Sequence, residues 1–252
     1  IHDAETAVRF AKELQLLLRY LGAGEANMEK GQMRVEVNIS IAEEGKRGTK
    51  AEIKNINSLR AVAGAIAYEI ARQSELLDRG EKVLQETRGW DETKQKTFSQ
   101  RIKENSNDYR YFPDPDLPKL YISQIPEFAP EKLRAEIKEL PWERRLRYQK
   151  QGLKQEDVEM YVQSERYGAF FDEVAKIVDN DEKLVLLASN YISSDIAGLT
   201  KNTGKDFAMT PEHFATLMRM TAENKISSRG AKDLLALLFE VDDKKKKLAE
   251  ER

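Results

Sequence analysis

The sequence predicts an α+β domain with an antiparallel sheet, followed by an all-α domain. Short stretches in the first part of the chain alternate apolar and polar residues, and they lie between longer stretches with helical spacing. Prolines cluster from Pro113 to Pro130, and strand patterns nearly vanish beyond them. The predicted domains therefore cover residues 1–124 and 125–240, and a charged terminal segment covers 241–252.

The first predicted elements are a helix and two strands. Asp3 is a suitable N-cap, leucines follow at helical spacing, and Gly22 ends the pattern. The period then changes to two in "MRVEVNISI", residues 33–41, which predicts a half-buried strand. "TKAEIKNIN", residues 49–57, repeats the alternation, so we expect it to pair antiparallel with the first strand.

A second helix and a second pair of strands are predicted next. The helix begins after Asn57 or Ser58 and ends at Gly80. "KVLQETRGW" and "KTFSQRIK" predict two short strands, which the polar turn "DETKQ" joins. Beyond the prolines, apolar positions such as Ile192 and Ile196 have helical spacing, which predicts a series of short helices.

Composition excludes several kinds of protein and site. The 252 residues include no cysteine and two histidines, which excludes disulfides, thiol chemistry and the usual Cys/His zinc site. A formal charge of −2 excludes a general polycation, and no apolar run is long enough to span a membrane. We expect a cytoplasmic protein. The sequence lacks an initiator Met and a signal peptide, so we also expect a piece cut from a longer chain.

The polar face of the first predicted strand pair combines cations, carboxylates and amides. Its members are Arg34, Glu36, Asn38, Lys50, Glu52 and Lys54, and Asn55 and Asn57 follow them. Cations neutralise phosphate oxygens, and a carboxylate can bind Mg²⁺ that keeps much of its water, so this set could hold a phosphate and a metal together. The alternative is a salt-bridged solvent face. Glu86, Arg88 and Arg101 either extend the same face or form surface ion pairs.

A basic cluster in the helical domain is a candidate tRNA contact. It contains Arg144, Arg145, Arg147 and Lys150. Such a cluster suits an RNA backbone, whose phosphates position a protein without being read for sequence. Acidic residues flank the cluster, so a plain solvated helix is the alternative.

Several spaced motifs together resemble a known family. "RYLGAGEANMEKGQMRVEVNIS", "GTKAEIKNINSLRAV", "LLDRGEKVLQETRGWD" and "NDYRYFPDPDLPKLYI" are similar to successive blocks of the GatB/GatE family of tRNA amidotransferase subunits. "LASNYI", "MTPEHFATLMRM" and "ENKISSRGAKDLL" resemble that family's helical domain. The resemblance implies the C-terminal part of a catalytic cradle domain, followed by a tRNA-facing helical domain.

The resemblance also implies a reaction and partners. Family members use ATP and Mg²⁺ to phosphorylate the side-chain carboxylate of Glu-tRNA(Gln) or Asp-tRNA(Asn). Ammonia from the amidase subunit GatA then displaces phosphate, in a heterotrimer that also contains GatC. The archaeal subunit GatE is the near alternative, although its insertion between the two domains has no counterpart in "PDLPKLYISQIPEF". A nonenzymatic RNA-binding fragment is the other alternative.

The motif matches carry individual roles to residues of this chain. Glu52 is the implied Mg²⁺ ligand, and Glu36 is a second one at a position where the family more often has Asp. Lys54 and Asn55 are implied near phosphate or substrate, and Lys50 near the nucleotide. Other motif matches have no individual role assigned; they include Arg34, Asn38, Glu86, Arg88 and Arg110. Because family members begin with a further part of the cradle, we expect this piece alone to be inactive.

Overall fold

A computed structural model describes residues 1–102 and 112–250, with side chains described for 1–100 and 112–239. The chain divides into two compact units, Ile1–Lys138 and Glu139–Arg252. Residues 125–138 thus belong to the first unit, whereas the sequence places them at the start of the helical domain.

The first unit is an α+β structure, as predicted. Two short 3₁₀ turns, Ile122–Gln124 and Pro126–Phe128, lie between its sheet and its last helix. In chain order its other elements are α1 (Ala4–Tyr20), β1 (Val37–Ile39), β2 (Ala51–Lys54), α2 (Leu59–Asp78), β3 (Glu86–Asp91), β4 (Lys96–Ile102) and α3 (Pro130–Glu136).

The four described strands form one mixed sheet in the order β1-β2-β3-β4. β1 pairs antiparallel with β2, and β3 pairs antiparallel with β4, as the alternating patterns predict. β2 and β3, however, run parallel, so the prediction of an antiparallel sheet is wrong at the central pair. The physical reason is α2, a helical crossover that returns the chain to the same end of the sheet.

Helix α2 covers one face of this sheet. Its N-cap is Ser58, whose Oγ accepts a hydrogen bond of 3.0 Å from the Ala61 amide, and Gly80 follows its C-terminus with φ +72°. Apolar residues of α2 and of the strands form the core; they are Ile39, Ile53, Ile56, Ala61, Val62, Ala65, Ile66 and Trp90. α1 packs against α2 and begins at its predicted N-cap, Asp3.

The described part of the second unit is helical, as predicted. An aromatic cluster at its centre stacks Tyr161 on Phe171 at 4.5 Å, with Tyr148 edge-on to both. Ile192 and Ile196, which bound a short π-helical turn, are fully buried. The helices are α4 (Pro141–Lys150), α5 (Gln155–Gln163), α6 (Glu165–Ile177), α7 (Glu182–Tyr191), α8 (Ala197–Thr203), α9 (Pro211–Ala222) and α10 (Ser228–Glu250).

Helix α10 runs through Glu250, so the predicted terminal segment continues a helix over most of its length. Within the described residues, no helix combines the length and apolar character needed to cross a bilayer.

Candidate active site

Polar side chains gather on the face of the sheet that points away from α2, here called the open face. Strand alternation places Ala51 and Ile53 in the core and turns Glu52 and Lys54 to the open face. Asn38 lies directly opposite Glu52 in the β1–β2 register. The sequence therefore predicts this face correctly for β1 and β2, because one side of each of these two strands is apolar.

Lys54 joins two carboxylates on the open face. Its Nζ lies 3.7 Å from Glu36 Oε1 and 3.6 Å from Glu52 Oε1. Arg34 adds a second cation, with Nη2 3.0 Å from Glu36 Oε1. The charges balance, so the salt-bridged surface that the sequence allows is present. Lys54 is 40% exposed, and each of these ion pairs is therefore weak.

The two carboxylates differ in their surroundings. The Glu52 side chain is only 14% exposed, and its Oε2 accepts a hydrogen bond of 3.2 Å from Thr87 Oγ1 on β3. The Glu36 side chain is 27% exposed and lies just before β1. Glu52 is thus the more firmly oriented of the two candidate metal ligands.

The donor set fits Mg²⁺ bound mainly by water and phosphate. Glu36 and Glu52 approach the same ammonium group, so a divalent cation between them would replace one positive charge with two. Among the described residues, no cluster of three or more His, Asp or Glu could hold a metal ion. Mg²⁺ typically takes one or two carboxylates and completes its octahedron with water and phosphate oxygens, which suits this pair.

The other predicted residues of the first sheet lie at its edges or beyond the described chain. Lys50 is exposed just before β2, and Asn38 is exposed on β1. Asn55 is exposed just after β2 with φ +61°, a left-handed conformation that Asn adopts more easily than most residues. Arg110 falls outside the described residues.

Glu86 and Arg88 neither extend the open face nor form surface ion pairs, so both predicted alternatives are wrong for these two residues. Register pairs Glu52 with Thr87, so Thr87 shares the open face while Glu86 and Arg88 point toward α2. Both are buried, at 5% and 9% exposure. Their local pattern indicates surface charges, but α2 supplies ionic partners that allow burial.

These partners form a buried ionic cluster between β3, β4 and α2. Arg88 Nε lies 3.0 Å from Glu69 Oε1, and Arg72 Nη2 donates to Glu69 Oε2 at 2.8 Å. Arg88 Nη1 donates to Glu86 Oε1, and Ser99 Oγ donates to Glu86 Oε2. Two carboxylates thus balance two guanidinium groups in a fully paired arrangement.

Glu69 is the centre of this buried ionic cluster. It is fully buried, and it also accepts hydrogen bonds from Thr97 Oγ1 and Gln73 Nε2. Burial alone would raise the pKa of the Glu69 carboxyl, but hydrogen bonds from Arg72 and Thr97 outweigh burial and hold that pKa below its ordinary value. Glu69 therefore stays ionised at neutral pH.

The arginines of α4 do not form the open basic patch that the sequence suggests. Arg145 Nε lies 2.7 Å from Glu159 Oε1 of α5. Arg144 Nη2 lies 2.6 Å from Asp172 Oδ2 of α6, and Arg147 Nη1 lies 2.8 Å from Asp172 Oδ1. Arg147 Nε also lies 2.7 Å from Glu139 Oε1, so three carboxylates pair with the three arginines, which gives the arginines a structural role.

Asp172 anchors this arrangement. Burial alone would raise the pKa of Asp172, but hydrogen bonds from Arg147 and Arg144 hold that pKa below its ordinary value. Lys150, the fourth predicted member, is exposed at the end of α4. A contact of these residues with tRNA stays a prediction, and for the arginines it would compete with ion pairs already made.

Sequence reasoning missed Thr87, Glu69 and Arg72. Glu69 and Gln73 fall at the helical spacing of the apolar stripe that includes Val62 and Ile66. Polar residues that continue the spacing of a buried apolar stripe on a helix could thus have indicated buried polar contacts. Thr87 had no comparable signal, because its partner Glu52 is on another strand.

Two protein-family models match this chain, one in each of its two compact units. The family model described as the GatB/GatE catalytic domain matches residues 1–126, and the one described as the GatB domain matches residues 169–252. The chain belongs to the GatB/GatE family. The catalytic-domain match contains the whole open face and the buried ionic cluster, and the second match lies within the helical unit.

Individual relatives of this GatB/GatE chain are similar over its full length. The B subunit of the aspartyl/glutamyl-tRNA(Asn/Gln) amidotransferase of Crocosphaera subtropica is 39% identical over 261 residues, covering 100% of this chain and 51% of that protein. The protein of the same name from Prochlorococcus marinus AS9601 is 40% identical over 258 residues, with the same coverage.

A plant relative of the family gives a similar match. The B subunit of the glutamyl-tRNA(Gln) amidotransferase of Physcomitrium patens, described as chloroplastic/mitochondrial, is 42% identical over 239 residues. That match covers 93% of this chain and 41% of the moss protein. The chain thus spans about half the length of these relatives or less.

Proposed function

We propose that this chain is part of a tRNA-dependent amidotransferase subunit whose open face takes part in phosphoryl transfer. The substrate is the side-chain carboxylate of Glu-tRNA(Gln) or Asp-tRNA(Asn). A carboxylate oxygen attacks the γ-phosphorus of ATP, ADP leaves, and ammonia then attacks the acyl carbon and releases phosphate. Glutamine hydrolysis by a GatA amidase subunit supplies the ammonia, within a heterotrimer that includes GatC.

One observation carries this proposal. Glu36 and Glu52, from two neighbouring strand segments, meet at the ammonium of Lys54 in a chain of the GatB/GatE family. Phosphoryl transfer needs positioning and charge neutralisation more than covalent catalysis by protein side chains. The open face offers the carboxylates and the cations for that task.

Each residue of the open face has a distinct part in the proposal. Glu52 and Glu36 would hold Mg²⁺, and Lys54 and Arg34 would neutralise phosphate oxygens. Lys50, exposed just before β2, would add a further cation for the nucleotide. ATP supplies the phosphoryl group, and Mg²⁺ reduces the charge repulsion during its transfer. Asn38 and Asn55 offer amide groups for orienting the substrate.

Glu52→Gln in the complete heterotrimer tests this function. Loss of the charge should lower the amidation rate by about 100-fold, comparable with loss of one electrostatic group in an active site. Affinity for aminoacyl-tRNA should change by no more than severalfold, because binding relies on other contacts. Steady-state amidation and filter binding measure the two quantities.

Glu43→Gln is the matched control for this substitution. Glu43 is 79% exposed and pairs with Lys46 at the surface, in the loop before β2, so both amidation and binding should be unchanged. An equal loss of amidation and tRNA affinity in Glu52→Gln would instead favour a nonenzymatic RNA-binding module.

A further inference from the structure

The residues Glu86, Thr87 and Arg88 point alternately to the two faces of the sheet. Glu86 and Arg88 enter the buried ionic cluster, and Thr87 between them faces the open side. We propose that Thr87 is a positioning residue that sets the orientation of the Glu52 carboxylate for metal binding. This inference rests on the proposed function, because it assumes that Glu52 is a metal ligand.

The hydrogen bond from Thr87 distinguishes the two oxygens of Glu52. Thr87 Oγ1 donates to Oε2 at 3.2 Å, whereas Oε1 faces Lys54 Nζ at 3.6 Å. A carboxylate turns readily about its terminal bond, so a donor on one oxygen fixes the plane of the group and the direction in which the other oxygen points. Oε1 is therefore the oxygen directed toward Glu36 and Lys54, where the metal is proposed to bind.

Burial makes this hydrogen bond a constraint. Thr87 is 8% exposed and the Glu52 side chain is 14% exposed, so water competes little for either group. The two residues are direct partners in the parallel β2–β3 register, which keeps their side chains adjacent. Strand pairing therefore fixes the distance between Thr87 and Glu52. As a result, the Glu52 carboxylate has little freedom to turn.

The buried ionic cluster holds the backbone of Thr87 from both sides. Arg88 bonds Glu69 of α2 and the Thr97 carbonyl of β4, and Glu86 bonds Arg88 and Ser99. These contacts tie the two neighbours of Thr87 to separate elements. A shift of the Thr87 backbone away from Glu52 would require those contacts to move.

A register shift between Thr87 and Arg88 contributes to the placement. Thr87 pairs with Arg101, but Arg88 pairs with Ser99, so β4 has one extra residue at this point. Bulges of this kind redirect side chains and strengthen local twist, and they recur beside functional sites. Here the bulge adjoins the residue that contacts the candidate metal ligand.

The test compares Thr87→Val, Thr87→Ala and Thr87→Ser in the complete subunit. Valine keeps the shape and loses the hydroxyl, alanine loses both, and serine keeps the hydroxyl. Binding of Mn²⁺, followed by the loss of the free-ion EPR signal, gives a readout independent of turnover. Thermal unfolding of each variant checks that the fold is intact.

Valine and alanine should each raise the Kd for Mn²⁺ roughly tenfold, as expected for loss of a group that orients a ligand. Serine should keep the Kd within about threefold of the parent value, since it restores the donor. Thr93→Val, an exposed threonine in the turn between β3 and β4, is the matched control and should have no effect.

Two results would overturn the inference separately from the proposed function. If Glu52→Gln weakens Mn²⁺ binding but Thr87→Val does not, the metal site stands and the positioning role is wrong. The positioning role is also wrong if serine binds Mn²⁺ as weakly as valine, because the hydroxyl would then be irrelevant. If Glu52→Gln itself leaves Mn²⁺ binding unchanged, the metal site fails and the inference fails with it.

Discussion

Lys54 has two carboxylates as neighbours, and this placement should oppose metal binding but favour phosphate binding. Its ammonium lies between Glu36 and Glu52 at distances of 3.7 and 3.6 Å. A metal ion approaching the same carboxylates meets a cation already in place. A phosphate, in contrast, gains a counter-charge if the ammonium turns toward it.

Lys54→Met should therefore separate metal binding from nucleotide binding. Loss of the ammonium removes a competing cation, so Mn²⁺ alone should bind up to about fivefold more tightly, the equivalent of about 1 kcal/mol for a half-exposed pair. ATP should bind more weakly, because a phosphate partner is lost. EPR titration with Mn²⁺ and equilibrium dialysis with ATP measure the two effects.

Lys46→Met is the control for this experiment. Lys46 is 71% exposed and pairs with Glu43 away from the open face, so neither affinity should change. A parallel fall of both affinities in Lys54→Met would mean that the lysine holds the open face together, and the proposed exchange of partners would be wrong.

The positions of single residues could be predicted from the sequence only where strand alternation decided them. Alternation placed Glu52 and Lys54 on one face, and the structure confirms that placement. For Glu86 and Arg88 the sequence allowed either the open face or surface ion pairs, and both alternatives were wrong because the two residues are buried. Their burial depends on Glu69, a residue of another element that no local pattern in the strand reveals.

At the scale of elements, the crossover helix α2 determines both faces of the sheet. It makes β2 and β3 parallel and covers their apolar side. It also brings Glu69 and Arg72 to the buried ionic cluster. Helix bounds and caps were predictable, because Ser58 and Gly80 are local signals. Strand order was not, because it depends on how α2 packs.

Helix α1 also shows that a local sequence pattern does not determine packing. Its N-cap and its length were predictable from Asp3 and the leucine spacing. Two leucines of the predicted apolar stripe are nevertheless exposed, Leu14 at 37% and Leu21 at 50%, whereas Ala11 is buried at 4%. Helical periodicity identifies a helix and does not by itself determine which of its residues are covered.

Glu69→Gln tests the energetic role of the buried ionic cluster. At neutral pH the substitution leaves two guanidinium groups with one buried carboxylate, and unfolding free energy should fall by about 3 kcal/mol. The folded-state pKa of Glu69 is lowered, so its stabilisation is complete above its ordinary value of 4.5 and is lost as pH falls through the folded-state value. Urea denaturation from pH 7 to pH 3 should show the two proteins converging.

Glu75→Gln, on the same helix, provides the comparison. Glu75 pairs with Arg79 at the surface, with its side chain 63% exposed, so its loss should cost no more than about 0.5 kcal/mol at any pH. A difference between Glu69→Gln and the parent protein that stays constant across the pH range would contradict an ionised, hydrogen-bonded Glu69.

At the scale of the whole molecule, the two units contain different chemical groups. The first unit has the open face, where carboxylates and cations are partly exposed. In the second unit, Arg144, Arg145 and Arg147 are paired with carboxylates of the same unit. If the proposed function is right, substitutions on the open face should lower the rate of phosphoryl transfer more than they lower the affinity for tRNA.

Oxygen transfer from substrate to phosphate is the most direct test of phosphoryl transfer by a complete enzyme that contains this chain. With ¹⁸O in the side-chain carboxylate of Glu-tRNA(Gln), each amide formed should place one ¹⁸O in the released phosphate, because the attacking oxygen leaves with phosphorus. Glu52→Gln should lose label transfer and amide formation together, and Glu43→Gln should keep both. Amide formation with unlabelled phosphate, or undiminished label transfer in Glu52→Gln, would contradict phosphoryl transfer at the open face.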